Sequence, residues 1–391
     1  MRTSLLILST LLVLSTRVAA QVTTGMTDVV LSDRSVVHVE SGQLIVPESR
    51  QRPSARTISI PFYRLRTTAS SPGAPIFLLA GGPGSSWLDQ FEAPETYEEA
   101  RFYQSIADVV LFDQRGSGRS TPTLTCGDSA PLPPPDAPLD PAVLRETMRT
   151  LAGQCRDRWV ARGVDLAAYN TVENAADVND LRLALGYGKV TLVGGSYGSH
   201  LALQIVRQHP DAVERVVIFG VEGPDHTWDS PSGALHTLER IAAATEQAPA
   251  FNGRIPSGGL ISAFARAVAR LDATPQMMTV TTPTGSRRVR VDGVRLRRLL
   301  RADAGRRNAA WIWPERILAI DSGDLTGVAE RLAAQRTLTL PDPVHFSMDC
   351  ASGASAARRA ASANDPATSL LGDINFEYDA ICPVWPHEVS R

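Results

Sequence analysis

Around residue 196 the chain changes its hydrophobic period. Val190, Thr191, Leu192 and Val193 form a short, almost wholly apolar run, Gly194-Gly195-Ser196-Tyr197-Gly198 interrupts it, and His200, Leu201, Ala202, Leu203, Ile205 and Val206 continue in a helix-compatible pattern. A short apolar run bounded by glycines reads as a buried strand, and the segment after the glycines as a helix. The same punctuation occurs twice upstream. Pro75-Ile76-Phe77-Leu78-Leu79 opens into Ala80-Gly81-Gly82-Pro83-Gly84-Ser85-Ser86, and Val109-Val110-Leu111-Phe112 opens into Asp113-Gln114-Arg115-Gly116-Ser117-Gly118-Arg119-Ser120. Buried runs separated by helical stretches, one of them at 94–105, indicate parallel strands joined by crossover helices. Before them, residues 29–65 alternate apolar and polar positions and are broken at Pro47 and Pro53, which predicts antiparallel strands entering the sheet. Residues 141–162 and 174–185 read as helices, the second ending at Gly186, and 213–219 reads as the next strand. That strand runs into Gly220-Val221-Glu222-Gly223-Pro224-Asp225-His226.

The strand–turn–helix context gives Ser196 its chemistry. Glycines on both sides permit a sharp turn that a Cβ would obstruct, holding the hydroxyl at the tip of a sheet as a nucleophile. A glycine-rich loop after a buried strand, as at 81–84, exposes backbone N–H groups of the kind that stabilise an oxyanion. Asp113 and Arg115 are read as pairing with each other and pinning their loop.

Composition narrows the class. A chain of 391 residues with 43% hydrophobic and 20% charged positions supports a sizeable core. A net charge of −2 gives no field for nucleic acid or an anionic membrane. Residues 1–20 read as a secretory signal: Arg2, an apolar run from Leu5 to Leu14, and Val18-Ala19-Ala20 at the cleavage point. That run is about half of the roughly 20 residues needed to span a bilayer. An exported protein retains disulfides, and Cys126, Cys155, Cys350 and Cys382 allow three pairings, of which the sequence-local one is preferred. No Cys/His spacing suggests zinc, and no metal or organic cofactor is expected.

Three motifs resemble one family. Gly81-Gly82-Pro83-Gly84 is similar to the HGGPG loop of the prolyl and tripeptidyl aminopeptidases of the α/β-hydrolase fold, with Ala80 where that family has histidine. Residues 113–120 resemble its DQRGxGxS motif, and 194–198 match GGSYG, in the same order and spacing over about 40–225. The resemblance implies an α/β-hydrolase fold, with a mostly parallel central sheet and an inserted helical cap. It implies Ser196 as nucleophile, the backbone N–H groups of Gly82 and Tyr197 as oxyanion donors, and short peptides, cut from the amino end, as substrates. The expected organisation is a core over 21–226, a helical cap over 227–345 with helices at 235–244, 260–271 and 327–335, and a segment over 346–391 returning toward the core. The arginine-rich stretch from Arg287 to Arg307 is read as a solvated face of the cap.

The acid and histidine of such a triad come after the nucleophile in sequence. The family carries them on two strands beyond the cap, and the chain reaches Arg391 before them, so the sheet is expected to stop two strands short. Losing the nucleophile or histidine of a serine-protease triad costs about 10⁶-fold in turnover, leaving roughly 10³ to 10⁴ over water. Among the residues present, Glu222 and His226 are the candidate acid and base of an esterase, or Glu222 grips a substrate amine. An inactive peptide-binding descendant is the other alternative. His200 is assigned to packing, while His345 and His387 lie in segments whose pattern does not place them.

Overall fold

The computed structural model describes residues 20–387 except 53–55, 284 and 305–307. Apart from its last position, the expected leader lies outside the described residues. The strands, in chain order, are β1 (Gln21–Val30), β2 (Val36–Pro47), β3 (Thr57–Leu65), β4 (Ile76–Leu79), β5 (Val109–Phe112), β6 (Ser129–Pro131), β7 (Val190–Gly195) and β8 (Val213–Phe219). Then come β9 (Gln276–Thr282), β10 (Gly285–Val291) and β11 (Thr337–Thr339).

Seven of them make one sheet in the order β1-β2-β3-β5-β4-β7-β8. The first three are antiparallel and β3 meets β5 antiparallel, whereas β5, β4, β7 and β8 run parallel. All four residues of β4 and of β5 are buried, as continuous apolar runs covered on both faces must be. In β2, by contrast, exposed and buried positions alternate through Val36–Val39, the mark of a half-covered strand. Phe77, Phe112, Leu192 and Leu201 pack on one side of the sheet, and Leu78, Val109, Leu111 and Phe91 on the other.

A second, separate core forms after β8. Leu260, Phe264, Leu271, Val289, Leu296 and Trp313 belong to it, and it draws on the helices Pro231–Glu246, Gly259–Ala273, Gly293–Ala304, Ala309–Asp321 and Thr326–Ala334 and on the β9–β10 hairpin. The helix Pro343–Ser352 then returns to the first core, where Phe346 and Met348 are buried, and Trp385 joins it there. Cys126–Cys155 and Cys350–Cys382 are disulfide-bonded. The first ties the proline-rich excursion after β5 to the helix Pro141–Ala161, and the second ties Pro343–Ser352 to the end of the helix Phe376–Ile381.

Two expectations need correction. Asp113 and Arg115 do not pair. Asp113 accepts hydrogen bonds from the Ser86 hydroxyl (2.9 Å) and the backbone N–H groups of Leu88 (3.2 Å) and Arg119 (2.7 Å). Arg115, fully buried, reaches Asp177 (2.7 and 2.8 Å) and the carbonyls of Glu48 and Ala168. The two side chains diverge from the loop, so each pins it to a different neighbour. The arginine-rich stretch is also not a uniformly solvated face. Arg295 is buried against Asp292, and Arg298 and Arg301 are only partly exposed, because the helix carrying them packs Leu296, Leu299 and Leu300 inward.

Candidate active site

The turn after β7 holds Ser196 at φ 53°, ψ −130°, a positive φ that an L-residue other than glycine seldom adopts. Its neighbours make the turn feasible. A Cβ on Gly198 would stand 2.3 Å from the Leu79 carbonyl oxygen, and one on Gly195 would meet the Phe219 ring at 2.3 Å. Only hydrogen at these positions lets the helix Tyr197–Gln208 start so close to the ends of β4 and β8. The Ser196 N–H donates to the Phe219 carbonyl (3.2 Å), while the Ser199 N–H (2.8 Å) and hydroxyl (2.6 Å) donate to the Ser196 carbonyl. The serine side chain itself is exposed, and its hydroxyl makes no hydrogen bond to any described residue.

The glycine loop lies directly alongside. A Cβ on Gly81 would come within 3.0 Å of the Gly195 carbonyl oxygen and 3.3 Å of the Ser196 Cβ. Gly82 comes next at φ 114°. Tyr197 is the first residue of its helix, so no intrahelical carbonyl reaches its N–H. Its ring is buried, and its hydroxyl lies 3.1 Å from Thr171 Oγ1 and 3.3 Å from Asn174 Nδ2. Ser196, Gly82 and Tyr197 are thus brought together at the tips of the parallel strands β4 and β7.

Glu222 and His226 are not joined. The Glu222 N–H donates to Ser199 Oγ (2.8 Å), placing that residue over the first turn of the helix. His226 is exposed, with its ring turned onto Gly223, and no described hydrogen bond links the ring to Glu222 or Ser196. His200 is buried between Ser352 Oγ (3.0 Å) and the Gly223 carbonyl (3.3 Å), and burial holds its imidazole below the usual histidine range. Both of its ring nitrogens are thus held by polar partners, not only by packing.

What the sequence pattern did not place is His345. The helix Pro343–Ser352 lies across the glycine loops, with Val344 against Gly84 and Gly116. His345 Nδ1 is 3.1 Å from the Gly82 carbonyl, Nε2 is 3.2 Å from Asp349 Oδ2, and the ring stacks on Tyr378. The Tyr378 hydroxyl donates to the same Asp349 oxygen (2.9 Å). Because a carbonyl only accepts, Nδ1 carries a proton, and a single further proton is shared between Nε2 and Asp349. Burial pushes the Asp349 carboxyl up to about 7 and His345 down, so both favour their neutral forms. Glu222 is also pushed up to about 7, first by burial and then by the like charges of Asp349 and Asp229, with His345 opposing. The signal available in sequence was the helix start Asp342-Pro343 with His345 and Asp349 one turn apart.

Among the described residues, Cys126, Asp128 and Cys155 approach one another as metal ligands would, but both sulfurs are consumed in a disulfide.

Comparison with known proteins agrees with this geometry. The family model described as "alpha/beta hydrolase fold" matches residues 74–273, just over half of the chain. A tripeptidyl aminopeptidase of Streptomyces lividans is 32% identical over 204 residues, which are 49% of this chain and 37% of that protein. The serine protease Hip1 of Mycobacterium tuberculosis is 28% identical over 47% of this chain and 36% of its own length. A proline iminopeptidase of Xylella fastidiosa is 28% identical over 43% of this chain and 44% of its own. The chain therefore spans less than half the length of these curated relatives. With a strained serine at the end of a parallel strand, a glycine loop beside it and this family match, the chain belongs to the α/β-hydrolase fold family.

Proposed function

We propose that the protein is an exported serine hydrolase of the aminopeptidase kind, forming an acyl-enzyme on Ser196. The observation that carries the reading is the positive-φ Ser196 lying against Gly81, in a turn flanked by Gly82 in the neighbouring loop and Tyr197 at the helix start, whose N–H groups we assign as the oxyanion donors. In this reading the Ser196 Oγ attacks the substrate carbonyl carbon, and the two backbone N–H groups stabilise the oxyanion. The C–N bond then breaks, the amine leaves with a proton, and water later releases the acyl group. No described side chain reaches the Ser196 hydroxyl to take its proton, so residues 21–391 alone are proposed to turn over slowly, at most about 10³ to 10⁴ over water. Glu222 stands over the first turn of the serine's helix, and the carboxyl groups of Asp349 and Asp229 act on it. Such a cluster suits a substrate ammonium, which favours peptides with a free amino end. The two disulfides support export, and no helix of the described residues is long and apolar enough to cross a membrane. Nothing in the geometry favours an esterase built on Glu222 and His226.

The test is binding of a tripeptide amide with a free amino end against its N-acetyl form. Tenfold or greater preference for the free amine, abolished in Glu222→Gln, is expected. Equal affinity for the two forms would overturn the aminopeptidase reading.

A further inference from the structure

Away from Ser196, a cavity of about 310 Å³ opens between the helix Pro141–Ala161 of the first core, the helix Gly293–Ala304 of the second, and the segment 368–376. Its wall combines aliphatic side chains such as Leu144, Val294 and Leu371 with four arginines: Arg145, Arg297, Arg298 and Arg301. That volume is about twice the ~150 Å³ that accommodates a benzene molecule. It takes a small organic body.

Most of the guanidinium groups lining it lack a close carboxylate partner. Asp272 holds Arg297 bidentately (3.0 and 2.6 Å), which leaves three guanidinium groups. The carboxylates that act on them are Asp373 and Glu377, both exposed, with Asp379 on Arg145 and Asp229 on Arg301, and none of them makes a described hydrogen bond to these guanidinium groups. Asp373 approaches Arg145 only at 3.7 Å, and its backbone carbonyl, not its carboxylate, accepts from Arg301 (2.7 Å). The Arg145 Nε is buried with no hydrogen-bond partner, the guanidinium lying over the Phe376 ring. Arg298 has no ion pair or hydrogen bond with any described residue, and Arg295, already engaged by Asp292, adds repulsion from its far side. Asp229 acts on Arg301 from the direction of the active-site carboxylates. Burial holds both Arg298 and Arg301 below the usual guanidinium range, with repulsion from Arg301 and Arg295 adding to it at Arg298 and the carboxylates of Glu377, Asp373 and Asp229 opposing it at Arg301.

An uncompensated cation in an apolar wall is costly unless something of opposite charge shares the space. Guanidinium groups in a fork match the two oxygens of a carboxylate or phosphate, and one anionic group in the cavity would give Arg298 the close partner it lacks. We propose that this cavity binds an amphipathic oxyanion, its charged head among Arg145, Arg298 and Arg301 and its apolar body against Leu144, Val294 and Leu371. Because the walls come from both cores, the ligand would rivet one to the other.

Calorimetric titration of the full chain with octanoate, octyl phosphate, octanol and acetate tests it, with melting temperature recorded in parallel. Octanoate or octyl phosphate is expected to bind at least tenfold more tightly than octanol and acetate, and the tighter of the two identifies the head group. Arg298→Met is expected to lose tenfold or more while melting no lower than wild type without ligand, and Arg298→Lys to recover part of the loss. The wild type should melt higher as octanoate is added, and Arg298→Met should not. Ser196→Ala is expected to bind as wild type does. Octanol binding as tightly as octanoate, or Arg298→Met retaining full affinity in a folded protein, would overturn the proposal.

Discussion

Glu222 shows how much a single side chain in this site depends on its surroundings. With its carboxyl pushed up to about 7 by burial, it stays protonated in the folded chain at pH values where the unfolded chain has released the proton. Asp349 behaves the same way. The native state therefore binds more protons than the unfolded state, and stability falls as pH rises from about 4 through about 7. Glu222→Gln is expected to flatten part of that slope and to stabilise the protein at pH 8 by about 1–2 kcal/mol relative to wild type. Thermal melts of both proteins between pH 4 and 8 check this, and parallel curves would contradict it. Ser196 was legible in the sequence because the glycines around it mark the strand–turn–helix locally, although what makes Gly195 and Gly198 necessary, the Phe219 ring and the Leu79 carbonyl, comes from other strands. His345 was not legible. Its importance comes from contacts with Gly82 and Tyr378, which no local pattern links.

Among the elements, β8 carries the clearest physical consequence. It pairs with β7 on one side only, and no described strand covers its other edge. Val217 is 47% exposed and Phe219 63%, so an unpaired edge is combined with apolar side chains facing water. Edges of this kind recruit other chains, and natural proteins blunt them with charge. Val217→Lys is expected to lower self-association of residues 21–391 measured by light scattering, with the far-ultraviolet circular dichroism unchanged. Scattering equal to wild type would show that this edge does not drive association. The strand itself was readable from its apolar run, but its partial exposure was not, since burial depends on what stands beside it. The β9–β10 hairpin and the helices Gly293–Ala304 and Ala309–Asp321 went unread for a related reason. Arginines alternate with Val289, Val291 and Leu296 closely enough that no clean helical or strand period stands out, and Pro314 interrupts the pattern of the helix Ala309–Asp321, so their place in a second core is set by tertiary packing.

For the molecule as a whole, the succession of parallel strands along the chain and the position of the reactive turn came from where apolar runs stop and glycines begin. The mutual placement of the two cores did not, since it rests on contacts far apart in sequence, such as Asp225 with Ser355 and Asn375 with Asp229. The Cys350–Cys382 disulfide belongs to this scale, because it ties the end of the helix bearing His345 to a residue 32 positions later, past the helix Phe376–Ile381. A loop of this size is worth about 3–4 kcal/mol in the chain-entropy picture.

Everything proposed for the site stands on the Ser196 hydroxyl being the acyl acceptor, held ready by its own turn and by the Gly82 and Tyr197 amides. Incubation of folded residues 21–391 with p-nitrophenyl acetate, then intact-mass measurement and peptide mapping, is the decisive test. One acetyl group is predicted on the peptide containing Ser196, absent from Ser196→Ala and from the urea-unfolded chain. Acetylation elsewhere with Ser196 untouched, or equal labelling of folded and unfolded protein, would contradict that assignment.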